Sequence, residues 1–190
     1  MVGEERAVAI TGPRPFPVTR EELLATEPGS GSWGPESVVE SLLSRLRQDT
    51  LTMAMRPGRI TAARCATDSI KRAPTAPLRC TTTFDDLTVE WRVLLDSGYR
   101  WTGSFIEYRP YPAQRILSDA IVYDTFWDNF RDNSDRLRCD ALPEIWLAET
   151  DKETGYRCQF LGRPDRGVRT WTDVPISVDN DGRLVIGSLS

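Results

Sequence analysis

Histidine is missing from all 190 residues. That removes Ser-His-Asp and Cys-His catalysis outright, together with the usual general base near neutral pH. Lysine is almost missing as well. Lys71 and Lys152 both sit in polar context, which argues against a desolvated nucleophilic amine. The chain has neither Gly-x-x-x-x-Gly-Lys nor Gly-x-Gly-x-x-Gly after a strand pattern, so no phosphate-cradling loop is expected. No apolar run approaches the roughly 18 residues that span a bilayer. Residues 1–20 show no basic leader and no apolar core of a signal peptide, which predicts either a cytosolic protein or one whose leader has been removed.

What remains is an ordinary globular composition, 39% hydrophobic and 27% charged, with a formal net charge of -4. The length suits one large domain or two small ones. Residues 1–112 hold 14 basic and 14 acidic side chains, and residues 113–190 hold 10 and 14, which sums to the 24 and 28 of the whole chain. The acidic excess therefore lies in the second half. This balance argues against a nucleic-acid partner and an anionic membrane surface, since both need clustered cations.

All four cysteines follow an arginine: Arg64-Cys65, Arg79-Cys80, Arg138-Cys139 and Arg157-Cys158. This recurrence, with an alternating segment around Trp91 after the first pair and one around Trp171 after the second, reads as an internal repeat. Disulfides Cys65 to Cys80 and Cys139 to Cys158 would each close a short loop, adding about 3 kcal/mol on a loop-entropy basis. The alternative is four reduced, buried thiols in a cytosolic protein. No cofactor and no metal site is expected, because the spacing is unlike zinc knuckles and histidine is absent.

Thr19 to Glu22 reads as a capping box before a short helix, and residues 1–34 otherwise as an extended lead-in. A helix is predicted from near Pro35, with Val38, Val39, Leu42, Leu43 and Leu46 on one face. A second is predicted over about Ala113 to Phe130, striped by Ile116, Ala120, Tyr123, Trp127 and Phe130. Strands are predicted for Ile60 to Cys65, Leu78 to Phe84, Leu87 to Leu95 and Tyr99 to Tyr108. In the second half they are Leu137 to Cys139, Glu144 to Ala148, Tyr156 to Leu161, Val168 to Val178 and Leu184 to Leu189. Asp96-Ser-Gly98 and Asn180-Asp-Gly182 carry hairpin chemistry, and Pro175 implies an edge position or a bulge. The resulting expectation is an α+β fold of two tandem units, residues 35–112 and 113–190. Each would be a helix packed on a three- to four-stranded antiparallel sheet, with Arg109-Pro-Tyr-Pro112 as a stiff linker.

A helix followed by strands that carry Cys65 with Cys80-Thr-Thr-Thr, and again Cys139 with Cys158, resembles the cysteine-paired domains of unknown function in secreted proteins and lipoproteins of actinobacteria. The tandem layout is similar in architecture to the β-lactamase inhibitory proteins. These likenesses imply an extracytoplasmic, protein-binding setting.

Asp124, Asp128 and Asp132 recur at helical spacing, the pattern of a solvated helix face, with weak cation binding as the sharper reading. Asp179-Asn-Asp-Gly182 lacks the downstream ligands of a calcium loop and reads as a turn. The aromatics Tyr99, Trp101, Phe105, Tyr108 and Tyr111 crowd one strand and its exit. They either fill the seam between the units or form a binding surface, for which Tyr99, Trp101, Tyr108 and Tyr111 are the candidates. The functional expectation is a non-enzymatic, extracytoplasmic protein-binding or envelope-associated module with a protein partner. The alternatives are a small-molecule cleft between the units and a cytosolic immunity-type interaction protein.

Overall fold

The computed structural model describes residues 5–14, 35–68, 76–95, 108–134, 136–162 and 169–187. The Thr19 to Glu22 capping box, the Asp96 to Gly98 hairpin, Tyr99, Trp101 and Phe105 lie outside them. The chain divides into two compact units, one of residues 17–116 and one of residues 1–16 with 117–190.

In the first unit, residues three and four apart put Val39, Leu42, Leu46, Thr50 and Ala54 on one buried face of helix α1 (Pro35–Ala54), with Leu51 buried beside them. The helix ends as Met55 turns left-handed, φ 48°, its N–H donating to the Leu51 carbonyl at 3.0 Å. It packs on β2 (Ile60–Cys65) and β3 (Leu78–Phe84). With β4 (Leu87–Leu95) and β5 (Tyr108–Pro112) these form an antiparallel sheet in the order β2-β3-β4-β5. Strict alternation buries Leu78, Cys80, Thr82 and Phe84 of β3 and Val89, Trp91 and Val93 of β4. The buried side chains of Thr50, Thr82 and Trp91 satisfy one another. Trp91 Nε1 donates to Thr82 Oγ1 at 2.8 Å, the Thr50 and Thr82 hydroxyls share a 2.6 Å hydrogen bond, and Thr50 reaches the Leu46 carbonyl at 2.6 Å. Gly58 is required by close approach, since a Cβ there would lie 2.1 Å from the Phe84 ring.

The tetrapeptide expected to be a linker, Arg109 to Pro112, is instead most of strand β5. Ala113 N–H donates to the Glu90 carbonyl at 2.7 Å, so the hydrogen-bonding positions alternate as Arg109, Tyr111 and Ala113. Pro110 and Pro112 fall on the positions between, on an edge strand, where a missing N–H costs nothing.

In the second unit, β1 (Val8–Ile10), β7 (Leu137–Cys139), β9 (Lys152–Leu161), β10 (Trp171–Val178) and β11 (Leu184–Ile186) form one antiparallel sheet in that order. Residues 8–10, read from the sequence as lead-in, thus form its edge strand. The register shifts between Pro175 and Ser177, the bulge that Pro175 implied. Asp179 Oδ1 accepts from the N–H groups of Asp181 and Arg183, and Gly182 takes φ 77°, closing the expected hairpin into β11. Helix α2 (Asp119–Phe130) buries Ile121, Val122, Tyr123 and Phe126. Its core partners include Ile10, Leu137, Cys139, Cys158 and Ile176. Residues 114–118 form β6 (Gln114–Ser118), which pairs with β8 (Ile145–Glu149) in a separate two-stranded sheet.

The expected second helix therefore begins too early. Ser118 is extended, φ -121° and ψ 153°, and its Oγ accepts from Ile121 N–H, so the helix opens at Asp119 and Ile116 lies in a strand. The expected α+β class, two tandem units of one helix each on a three- to four-stranded antiparallel sheet, is corrected on the same grounds. Among the described residues the structure is mostly sheet, 49% strand and 22% helical, with two helices and three sheets. Hydrophobic periodicity assigned Gln114 to Ser118 to a helix and the Pro-rich tetrapeptide to a linker, because cap and ladder parity do not show in that signal.

Both expected disulfides are present, Cys65–Cys80 and Cys139–Cys158, each with Cα atoms 3.9 Å apart. Each joins directly opposed residues on neighbouring antiparallel strands. The flanking bonds have the same form: Ala66 N–H to Arg79 carbonyl at 2.8 Å, and Asp140 N–H to Arg157 carbonyl at 3.0 Å. Both cystines therefore occupy non-hydrogen-bonded pairs, where side chains approach most closely.

Candidate binding face

Cross-strand register fixes what the four-stranded sheet presents on the side away from α1. Cys80, Trp91 and Pro112 share one row inward, so their neighbours share rows outward. One outward row runs Arg64, Thr81, Glu90, the next holds Arg79, Arg92 and Tyr111, and the next holds Leu94 and Arg109. Arg64, Arg79, Arg92 and Arg109 are all exposed. Leu94, at 45% exposure, is the large hydrophobic side chain most open to solvent among the described residues. Four arginines against one carboxylate, Glu90, leave a formal +3 on these strand positions.

None of these four guanidinium groups makes an ion pair or a side-chain hydrogen bond with the described residues. Arg79 and Arg92 are directly opposed, with β-carbons about 5 Å apart for such a pair, an arrangement that raises the energy of the sheet. Successive outward residues of one strand lie about 7 Å apart, so Arg92 and Leu94 neighbour each other along β4. The cluster is thus a cationic surface interrupted by one apolar and one phenolic side chain.

Of the expected binding residues, Tyr111 lies in this face, half-buried on edge strand β5 beside Arg92. Tyr108 does not. It points to the helix side in register with Leu95, where burial raises its phenol above the usual range and Arg45 works against that. Tyr99 and Trp101 lie outside the described residues. The four cysteines are structural cross-links.

The acidic series on α2 is taken up locally. Asp128 pairs with Arg131 at 3.3 Å. Burial and the charge of Asp128 raise the Asp124 carboxyl, while the Arg14 backbone N–H lowers it. Among the described residues no three metal-ligating side chains converge.

The arginines of the cationic face were visible in the sequence only as the residues preceding two of the cysteines and as the polar half of an alternating strand. Alternation explains that motif: with cysteine facing inward, the residue before it faces outward. Which arginines then meet across strands depends on register, which alternation does not specify. Comparison with family models, with curated proteins and with solved structures finds no match to this chain.

Proposed function

We propose that this chain is a non-enzymatic protein-binding module of an oxidising, extracytoplasmic setting, and that the outer face of its four-stranded sheet is the surface that meets the partner. The observation that carries this reading is the pairing of exposed Leu94 and half-buried Tyr111 with four arginines that have no carboxylate partner among the described residues. Apolar and aromatic side chains set among arginines are the composition of interface centres. The two disulfides fit an oxidising compartment, and no helix among the described residues is long and apolar enough to cross a membrane. A binding role also agrees with a chain that has no histidine for general base chemistry.

The test is pull-down of partners from native envelope extracts with wild-type protein and with Leu94→Asp and Tyr111→Ala. A partner retained by wild type and lost with both variants is the expected result. A partner set that both variants retain in full would move the binding surface elsewhere. Free thiols at all four cysteines in protein from its own cells would remove the extracytoplasmic setting.

A further inference from the structure

We infer that the outer face of the four-stranded sheet receives an acidic polypeptide segment, with Arg79 and Arg92 gripping its carboxylates and Arg64 and Arg109 flanking them. This rests on the protein-binding reading above and names the chemistry of the partner.

Two guanidinium groups at directly opposed positions repel, and no described side chain forms an ion pair with either. The protein does neutralise arginines in its other sheet. Arg6 reaches Asp140 at 2.8 Å and Asp173 at 2.9 Å, and Arg138 reaches Glu5 at 2.9 Å. The open guanidinium groups of this face thus contrast with the paired arginines of the five-stranded sheet. A guanidinium offers several donors in a planar fork that matches a carboxylate, so two opposed forks form a ready site for anions.

The anion's carrier follows from what else lies on the face. Leu94 extends the Arg109 row, and Tyr111 extends the Arg79–Arg92 row. These are contacts for side chains of a peptide. A nucleic acid would want successive aromatic platforms for its bases, and the described positions supply a single tyrosine. Glu90 stands beside Thr81 in the row next to Arg79 and Arg92, where it would repel a continuous phosphate backbone yet leave room for carboxylates spaced along an extended peptide. A lipid surface would find one exposed leucine on a protein whose net charge is -4. Charge complementarity on this face therefore favours an acidic protein segment.

The experiment uses the full oxidised chain and fluorescein-labelled poly-L-glutamate, read by fluorescence anisotropy at low and physiological salt. Competitors are a single-stranded oligodeoxynucleotide and phosphatidylglycerol vesicles. Poly-glutamate is expected to bind, to weaken with salt, and to lose about tenfold or more in affinity with Arg79→Gln/Arg92→Gln. Arg183→Gln, which removes a cation from the β10–β11 hairpin, is expected to leave affinity unchanged. Arg64→Gln/Arg109→Gln provides a second double variant should the first lose its far-UV circular dichroism.

Absence of poly-glutamate binding at low salt would overturn the inference, as would wild-type affinity in both double variants. Preference for the oligonucleotide or the vesicles with the same arginine dependence would also overturn it, by replacing the acidic peptide with another anion. Its failure is separable from failure of the broader reading. If an envelope partner is lost with Leu94→Asp but retained by Arg79→Gln/Arg92→Gln, the binding face stands and the acidic partner falls.

Discussion

The two larger sheets use the same residue type in opposite ways. On the five-stranded sheet, Arg6 lies between Asp140 and Asp173, Arg136 and Arg138 both reach Glu5, and Arg157 reaches Glu153 at 3.8 Å. Gln159, 2% exposed, accepts from the Arg6 backbone N–H at 2.7 Å and donates to Asp173 at 3.2 Å. Arg138 adds hydrogen bonds to the carbonyls of Arg6 and Ala7. The result is a polar clasp that holds the short strand β1 on its sheet. Among the described residues, the outer face of the four-stranded sheet has no such clasp. Its strands are long enough to be held by their ladders and by the α1 core, which leaves its arginines free of structural duty. The cystines differ in the same sense. Cys139 and Cys158 are both 0% exposed inside a core, whereas Cys65 is half-buried on edge strand β2.

The sharpest way to break this contrast is to remove each disulfide in turn. The loops span 15 and 19 residues, so chain entropy alone assigns about 3 kcal/mol to either one. Burial separates them. Cys139→Ala/Cys158→Ala also empties volume in a closed core, adding about 1 kcal/mol or more, while Cys65→Ala/Cys80→Ala relaxes at an edge. Thermal unfolding should therefore show the larger loss for the second pair. Under mild reductant at native pH, alkylation and peptide mapping should find Cys65 and Cys80 labelled well before Cys139 and Cys158. Equal losses and simultaneous labelling would erase the distinction.

How much of this was legible in the sequence depends on the range of the signal. Alternation along Leu78 to Phe84 and Leu87 to Leu95 marked the strands to the residue, and the cysteine spacing indicated both cross-links. These are local signals, set by period and by short loops. Three features were not legible. Pro110 and Pro112 looked like a linker because their compatibility with an edge strand depends on ladder parity set by Ala113 and Glu90, a partner far back in the chain. The Ser118 cap was hidden inside an apolar stretch that continues the helical period on both sides. The clasp around Arg6 joins residues more than a hundred positions apart, which no spacing rule reaches.

A smaller effect is expected at the clasp itself. Arg6→Ala would strip Asp140 and Asp173 of their partner, at a cost of about 1 kcal/mol for a partly exposed network. The hydrogen bond from Arg6 holds the Asp173 carboxyl below the usual range, with Gln159 assisting and burial opposing. A carboxyl lowered by folding binds fewer protons in the native chain than in the unfolded one, so its contribution is present above the unfolded value near pH 4 and drains away as pH falls below it. Wild-type protein should lose more stability than Arg6→Ala between about pH 4 and pH 2 in urea unfolding. Parallel acid profiles would mean that the clasp contributes nothing through Asp173.

The smallest effect carries the opposite sign. Arg79 and Arg92 are directly opposed, exposed and not paired with any described carboxylate, so Arg79→Thr removes a like-charge contact and introduces a β-branched residue on a strand surface. Both changes favour the sheet, and together they should raise stability by about 0.5 kcal/mol. Urea unfolding of matched samples at low and high salt is the measurement, with the gain shrinking as salt screens the repulsion. A loss of stability would give Arg79 a structural role and close the contrast between the sheets. A gain would mean that the chain keeps an arginine that weakens its own fold, as expected of a residue held for a partner rather than for the sheet that carries it.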